Sequence, residues 1–121
     1  MTMPLSSSNV LATRTAVVDP GFDVNDWLAG VVAGGALAEA TLVLTELLGN
    51  AAKHASGPYS VTVVQRALVL RLEVRDESGA GSLPWVVGKG LLVVRGLFPE
   101  WGVVDHGGAK TVWAELPILM P

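Results

Sequence analysis

From Ala36 to Ala55 the chain reads Ala-Leu-Ala-Glu-Ala-Thr-Leu-Val-Leu-Thr-Glu-Leu-Leu-Gly-Asn-Ala-Ala-Lys-His-Ala, apolar or small around most of a helical circumference. Such a helix draws its stability from packing an apolar face, not from intrinsic propensity, so the chain must supply a second layer to cover it. Glu46, Asn50 and His54 recur every four residues within it and therefore stack along one side. A polar stripe of this kind faces either water or a polar ligand, and the rest of the sequence favours the ligand.

The second layer is visible downstream. Gly57-Pro58 stops the helix, and Tyr59-Ser60-Val61-Thr62-Val63-Val64 is β-branched and alternating. In Leu68-Val69-Leu70-Arg71-Leu72-Glu73-Val74-Arg75-Asp76 the even positions Leu68, Leu70, Leu72 and Val74 form an apolar face, and Arg71, Glu73 and Arg75 form a polar one. Asp76 shares the even parity. A carboxylate is thus expected at the end of the buried face, where it needs a donor.

Upstream, Asp23 is the expected cap of a helix carrying Trp27, Leu28, Val31 and Val32, with Gly34-Gly35 as its end. Residues 1–20 are expected to form a partly disordered tail with an edge strand at residues 15–18, and residues 21–118 one domain. Glu77 to Pro84 reads as a glycine-containing loop able to approach a ligand closely. Gly88-Lys89-Gly90 then opens an apolar helix over residues 91–98, halted by Pro99. Residues 102–105 and 110–116 flank a turn at His106-Gly107-Gly108-Ala109. This order predicts an α/β (α+β) two-layer sandwich, its mixed and mostly antiparallel sheet covered on one face by helices.

Composition narrows the function. The 121 residues carry a net charge of −3, and the eight basic residues are scattered, which argues against a nucleic-acid backbone as partner. No cysteine is present for a disulfide or a thiolate metal site, and two distant histidines do not make a structural zinc site. No apolar run approaches the roughly 18 residues that a membrane span needs. Residues 1–9 lack a basic segment followed by an apolar core, so a cytoplasmic location is expected.

Three polar features fall on the expected inner side. Glu46 and Asn50 line the main helix, Asp76 ends a strand, and Gly88-Lys89-Gly90 opens a helix whose free N–H groups and dipole favour an anion. Together they describe a nucleotide pocket. The Asn50 amide suits Mg²⁺, which keeps several waters and shares phosphate oxygens with few protein ligands. Glu46, one turn away, is placed to orient or deprotonate a nucleophile. A buried Asp76 accepts a hydrogen bond from an exocyclic amino group such as that of adenine. Lys53, Lys89 and Arg95 are the basic residues nearest the phosphate end, while His54 is favoured at a helix C-terminus by the dipole.

These same residues resemble a known family. Glu46-Leu47-Leu48-Gly49-Asn50-Ala51-Ala52-Lys53-His54-Ala55 resembles the N box of histidine-kinase-like ATPase (GHKL) domains. Asp76-Glu77-Ser78 with Gly79 and Gly81 resembles their first glycine box, and Gly88-Lys89-Gly90-Leu91 their second. Gly107-Gly108-Ala109-Lys110-Thr111-Val112-Trp113 is similar to the terminal hairpin of the anti-sigma-factor serine/threonine kinase branch, of actinobacterial type. The resemblance implies a Bergerat-type fold binding MgATP, with Glu46 as general base, Asn50 carrying Mg²⁺ and Asp76 reading the adenine amino group. It also implies that Thr111 supports the adenine-side hydrogen bonds, with Lys53, Ser78, Gly79, Gly81, Gly88, Lys89, Gly90 and Leu91 around the nucleotide. The expected partners are an anti-sigma-factor antagonist phosphorylated on serine, or a sigma factor that is sequestered, and a second copy in a homodimer. Only Ser82 to Val87 separate the two glycine boxes, short for a lid of this family. A nucleotide-binding or degenerate protein-interaction module without kinase activity is therefore the alternative.

Overall fold

The computed structural model describes residues 10–32, 34–54, 57–77 and 100–117. In chain order these form β1 (Val10–Val18), α1 (Val24–Ala29), α2 (Ala36–His54), β2 (Tyr59–Arg66), β3 (Val69–Asp76), β4 (Glu100–Asp105) and β5 (Lys110–Pro117). The five strands make one sheet in the order β1-β2-β3-β5-β4, and every ladder among the described residues is antiparallel. This is an α+β arrangement. The expected glycine-box loop and the helix over residues 91–98 lie outside the described residues.

Alternation builds the inner face of the sheet. Val61 and Val63 of β2, Leu70, Leu72 and Val74 of β3, and Val112, Ala114 and Leu116 of β5 are buried, and the register sets them opposite one another. Onto them α2 lays Ala40, Val43, Leu44, Leu47 and Ala51, at the three- and four-residue spacing that defines one helical face. Each Leu or Val so enclosed stabilises the fold by about 1.5–3 kcal/mol relative to exposure. Leu28 and Val32, on and just after α1, complete the core.

Two boundaries depart from the sequence pattern. The first helix ends at Gly30, not at Gly34-Gly35. The Asp23 carboxylate caps it by accepting the Asp26 N–H at 2.9 Å. At its other end the Arg14 guanidinium crosses the chain, so that a Cβ at Gly30 would lie 2.5 Å from Arg14 Nη1. The same guanidinium lies 5.9 Å from the centre of the Trp27 ring. Leu68, expected on the apolar face, instead sits in the β2–β3 turn and is 66% exposed, because pairing begins only at Val69. The edge strand extends well beyond residues 15–18, pairing with β2 from Val10 to Val18 across a register shift between Val10 and Ala12.

The outer face of the sheet is organised by charge. Glu115 accepts from Arg71 at 3.3 Å and lies 3.5 Å from Arg66, while Arg71 also donates to Glu73 at 2.7 Å. Arg71 is at the same time stacked 4.2 Å from the centre of the Trp113 ring. The indole can lie there because its register partner is Gly102. A Cβ at Gly102 would stand 2.9 Å from Trp113 Cζ2 and Nε1. Gly102→Ala is therefore expected to push the indole off its neighbours and lower stability by about 1 kcal/mol, overpacking outweighing the entropy that alanine recovers. Denaturant unfolding followed by Trp fluorescence checks this; an unchanged midpoint would mean that the ring yields without cost.

Candidate functional site

Asn50 lies within the buried side of α2. It is 5% exposed, between the fully buried Leu47 and Ala51, and its Nδ2 has no hydrogen-bond partner among the described residues. Glu46, one turn earlier on the same side, is half-buried. The solvated side of the helix is formed by Leu42, Thr45, Gly49 and Ala52 instead. Bulk water is thus not what the Asn50 amide faces. Leaving such a donor unsatisfied costs about 1–3 kcal/mol. Lys53 and His54 belong to the last turn of the same helix.

Asp76 ends the inner face of β3 at 2% exposure, where its parity predicted it. Its donor comes from the segment that follows α2: the Gly57 N–H donates to Asp76 Oδ1 at 3.0 Å. Gly57 takes φ +79, a left-handed conformation suited to glycine, and a Cβ there would also approach the Tyr59 ring to 3.1 Å. Close by, the Glu77 N–H donates to the Pro58 carbonyl at 3.0 Å. This joint brings the C-terminal end of α2, and Asn50 with it, to the end of the sheet where Asp76 stands.

Register extends the site sideways. Tyr59 on β2 is opposite Asp76, Asp76 is opposite Lys110 on β5, and Lys110 is opposite Asp105 on β4. Opposed residues share a face, so these four form one polar row across the end of the apolar inner face. Lys110 is only 6% exposed. Burial, and after it the negative charge of Asp76, raises the Tyr59 phenol above its usual pKa of 10.0. The Asp105 carboxylate turns to the hairpin, accepting the Gly107 N–H at 2.8 Å.

Thr111 is placed differently from Asp76. Its register partner is Arg75, one position along, which sets it on the opposite face of the sheet, and its hydroxyl pairs with His106 Nε2 at 3.1 Å. Ser78, Gly79, Gly81, Gly88, Lys89, Gly90 and Leu91 lie outside the described residues. Tyr59, Lys110 and Asp105 are the members of the row that the sequence pattern did not single out. For Lys110 the signal was present, since it heads the even-numbered series Val112, Ala114 and Leu116 on the inner face of β5.

The donor set bears on the metal that the N-box resemblance implies. Among the described residues no group of three His, Cys, Asp or Glu side chains is gathered for a metal ion. The unpartnered Asn50 Nδ2 is a hydrogen-bond donor, which suits an acceptor such as a phosphate oxygen; a hard cation such as Mg²⁺ would be held through Asn50 Oδ1, with most of its oxygens coming from water and phosphate. No protein-family model matches this chain, and no curated protein matches it.

Two measurements probe this geometry without any ligand. Asn50→Leu fills the same space with no polar atom, so the variant is expected to be more stable than the wild type by about 1 kcal/mol in urea unfolding; a destabilised variant would show that the amide is satisfied. The raised Tyr59 pKa fixes the sign of an alkaline effect. Stability held by the protonated phenol is complete below the unfolded value near 10.0 and is lost as pH rises through the higher folded value. Above pH 10 the wild type should therefore lose stability more steeply than Tyr59→Phe, and parallel curves would remove the phenol from the account.

Proposed function

We propose that this chain is an ATP-binding regulatory protein of the histidine-kinase-like (GHKL, Bergerat-type) kind, resembling the anti-sigma-factor serine/threonine kinases. Its output would be transfer of the ATP γ-phosphoryl group to a serine of an antagonist protein, or sequestration of a sigma factor, in the cytoplasm. The observation that carries this reading is the buried Asn50 side chain, whose Nδ2 donor has no partner among the described residues, on the same side of α2 as Glu46 and at the same end of the sheet as Asp76. A fold that merely needed a core would place leucine there.

In this reading Asn50 would hold the metal end of the nucleotide, Glu46 beside it is the general base, and Asp76 accepts a hydrogen bond from the adenine amino group. A Mg²⁺ ion held through Asn50 would supply neutralisation of the charge that develops on the phosphate. Glu46 accepts the proton of the incoming serine hydroxyl as its oxygen bonds to the γ-phosphorus. The bond from that phosphorus to the β,γ-bridging oxygen breaks, and ADP leaves with the electron pair. A homodimer would present two such sites. The short run of Ser82 to Val87 between the glycine boxes supports a second reading, a module that binds nucleotide without transferring phosphate.

Calorimetric titration with ATP and ADP, with and without Mg²⁺, tests the pocket. Micromolar, Mg²⁺-dependent binding is expected, and Asn50→Leu should lose the Mg²⁺ dependence while remaining folded. Glu46→Gln should bind like the wild type but slow transfer of labelled γ-phosphate to a serine-containing partner by about 10²–10⁴-fold. No binding at millimolar nucleotide would overturn the proposal, and binding with no transfer to any partner would select the second reading.

A further inference from the structure

We infer that Lys110 is a base-reading residue, the donor half of a pair in which Asp76 is the acceptor half. This rests on the nucleotide reading above and adds to it a residue that the resemblance does not assign. Asp76 and Lys110 are directly opposed in the β3–β5 ladder, on the inner face, at 2% and 6% exposure. Side chains so opposed have Cβ atoms about 4.5–5.5 Å apart, close enough for both to meet the edge of one planar ring. Thr111, to which the family pattern gives the supporting role, is turned to the other face and engaged with His106. On the inner face at this end of β5, the donor is Lys110.

The chemistry of the two groups fixes what they can read together. An ionised carboxylate only accepts hydrogen bonds and an ammonium only donates them. A ring edge that satisfies both must carry a donor next to an acceptor. The edge of adenine does so, with its exocyclic amino group beside ring nitrogen N1. A carboxylate offers about four lone-pair sites, so Asp76 can accept from a base amino group while keeping protein donors such as the Gly57 N–H on Oδ1. Lys110 carries three N–H groups and can serve the base while keeping a protein partner. A guanine edge, with N1–H beside O6, carries the same two kinds of group with their places exchanged, so the experiment must separate the two bases.

Wild-type protein and Lys110→Met are titrated with ATP, with 1-deaza-ATP, in which a C–H replaces N1, and with GTP. The wild type should prefer ATP over 1-deaza-ATP by about 10- to 100-fold, the range of a hydrogen bond to a charged group, and Lys110→Met should lose that preference. Lys110→Arg should restore part of it. A Lys110→Met protein that keeps the wild-type ratio overturns the assignment of Lys110 while leaving ATP binding in place. A wild type that binds GTP more tightly than ATP overturns the adenine pairing. A wild type that binds none of the three overturns the nucleotide reading and Lys110 with it. Should Lys110→Met fail to fold, ATP labelled with ¹⁵N at N1 gives the answer on the wild type. The N1 resonance should move upfield on binding, and an unshifted resonance refutes the contact.

Discussion

The structure depends on the contact between α2 and the inner face of the central strands. Ala40, Val43, Leu44, Leu47 and Ala51 on one side, and Leu70, Leu72, Val74, Val112, Ala114 and Leu116 on the other, enclose the core. Because strand side chains alternate strictly, this contact fixes register: a slip of one residue in β3 would turn Leu70, Leu72 and Val74 outward and bring Arg71, Glu73 and Arg75 against the helix. Where the helix lies on the sheet, and which residues stand beyond the end of the core, follow from that choice.

What stands there is polar. Asn50, Asp76, Lys110 and Thr111 are the buried polar or charged residues among those described. They come from the last turns of α2, the last position of β3 and the first two of β5, which puts them at one end of the sandwich. Desolvating an amide, a carboxylate and an ammonium together opposes folding, and an apolar plug of equal volume would serve stability better. That cost is concentrated at one end, where the chain also crosses from α2 into the sheet through Gly57. The outer face, by contrast, keeps its charges half-exposed and mutually paired around Trp113.

Much of this was legible from residue patterns. The helix from Ala36 to His54, the inward parity of Asp76 and the closing hairpin follow from periodicities of about 3.6 and 2 and from turn residues, all local properties. The first helix ends at Gly30, ahead of the Gly34-Gly35 pair that the pattern favoured, and the Arg14 side chain from β1 lies across that position, a crossing that no local pattern encodes. Leu68 looked like the start of an apolar series and became a turn residue, because only the ladder with β5 settles where β3 begins. The neighbours of Asp76 were hidden for the same reason. Tyr59 and Lys110 stand 17 and 34 positions away in the sequence, and pairing register alone sets them beside it. The family pattern directed attention to Thr111, whereas strand alternation turns that hydroxyl to the opposite face.

The strand order has a consequence for the chain between the strands. The central ladder joins β3 to β5, although β4 and the whole stretch from Glu77 to Pro99 come between them in the sequence. Closing a chain segment costs conformational entropy that rises only with the logarithm of its length, about 0.6 kcal/mol for each doubling. The sheet is therefore nearly indifferent to how many residues separate Asp76 from Glu100. A longer or shorter connection would change that entropic cost by only a few tenths of a kcal/mol, so closing the β3–β5 pairing does not by itself fix the length of chain between the two strands.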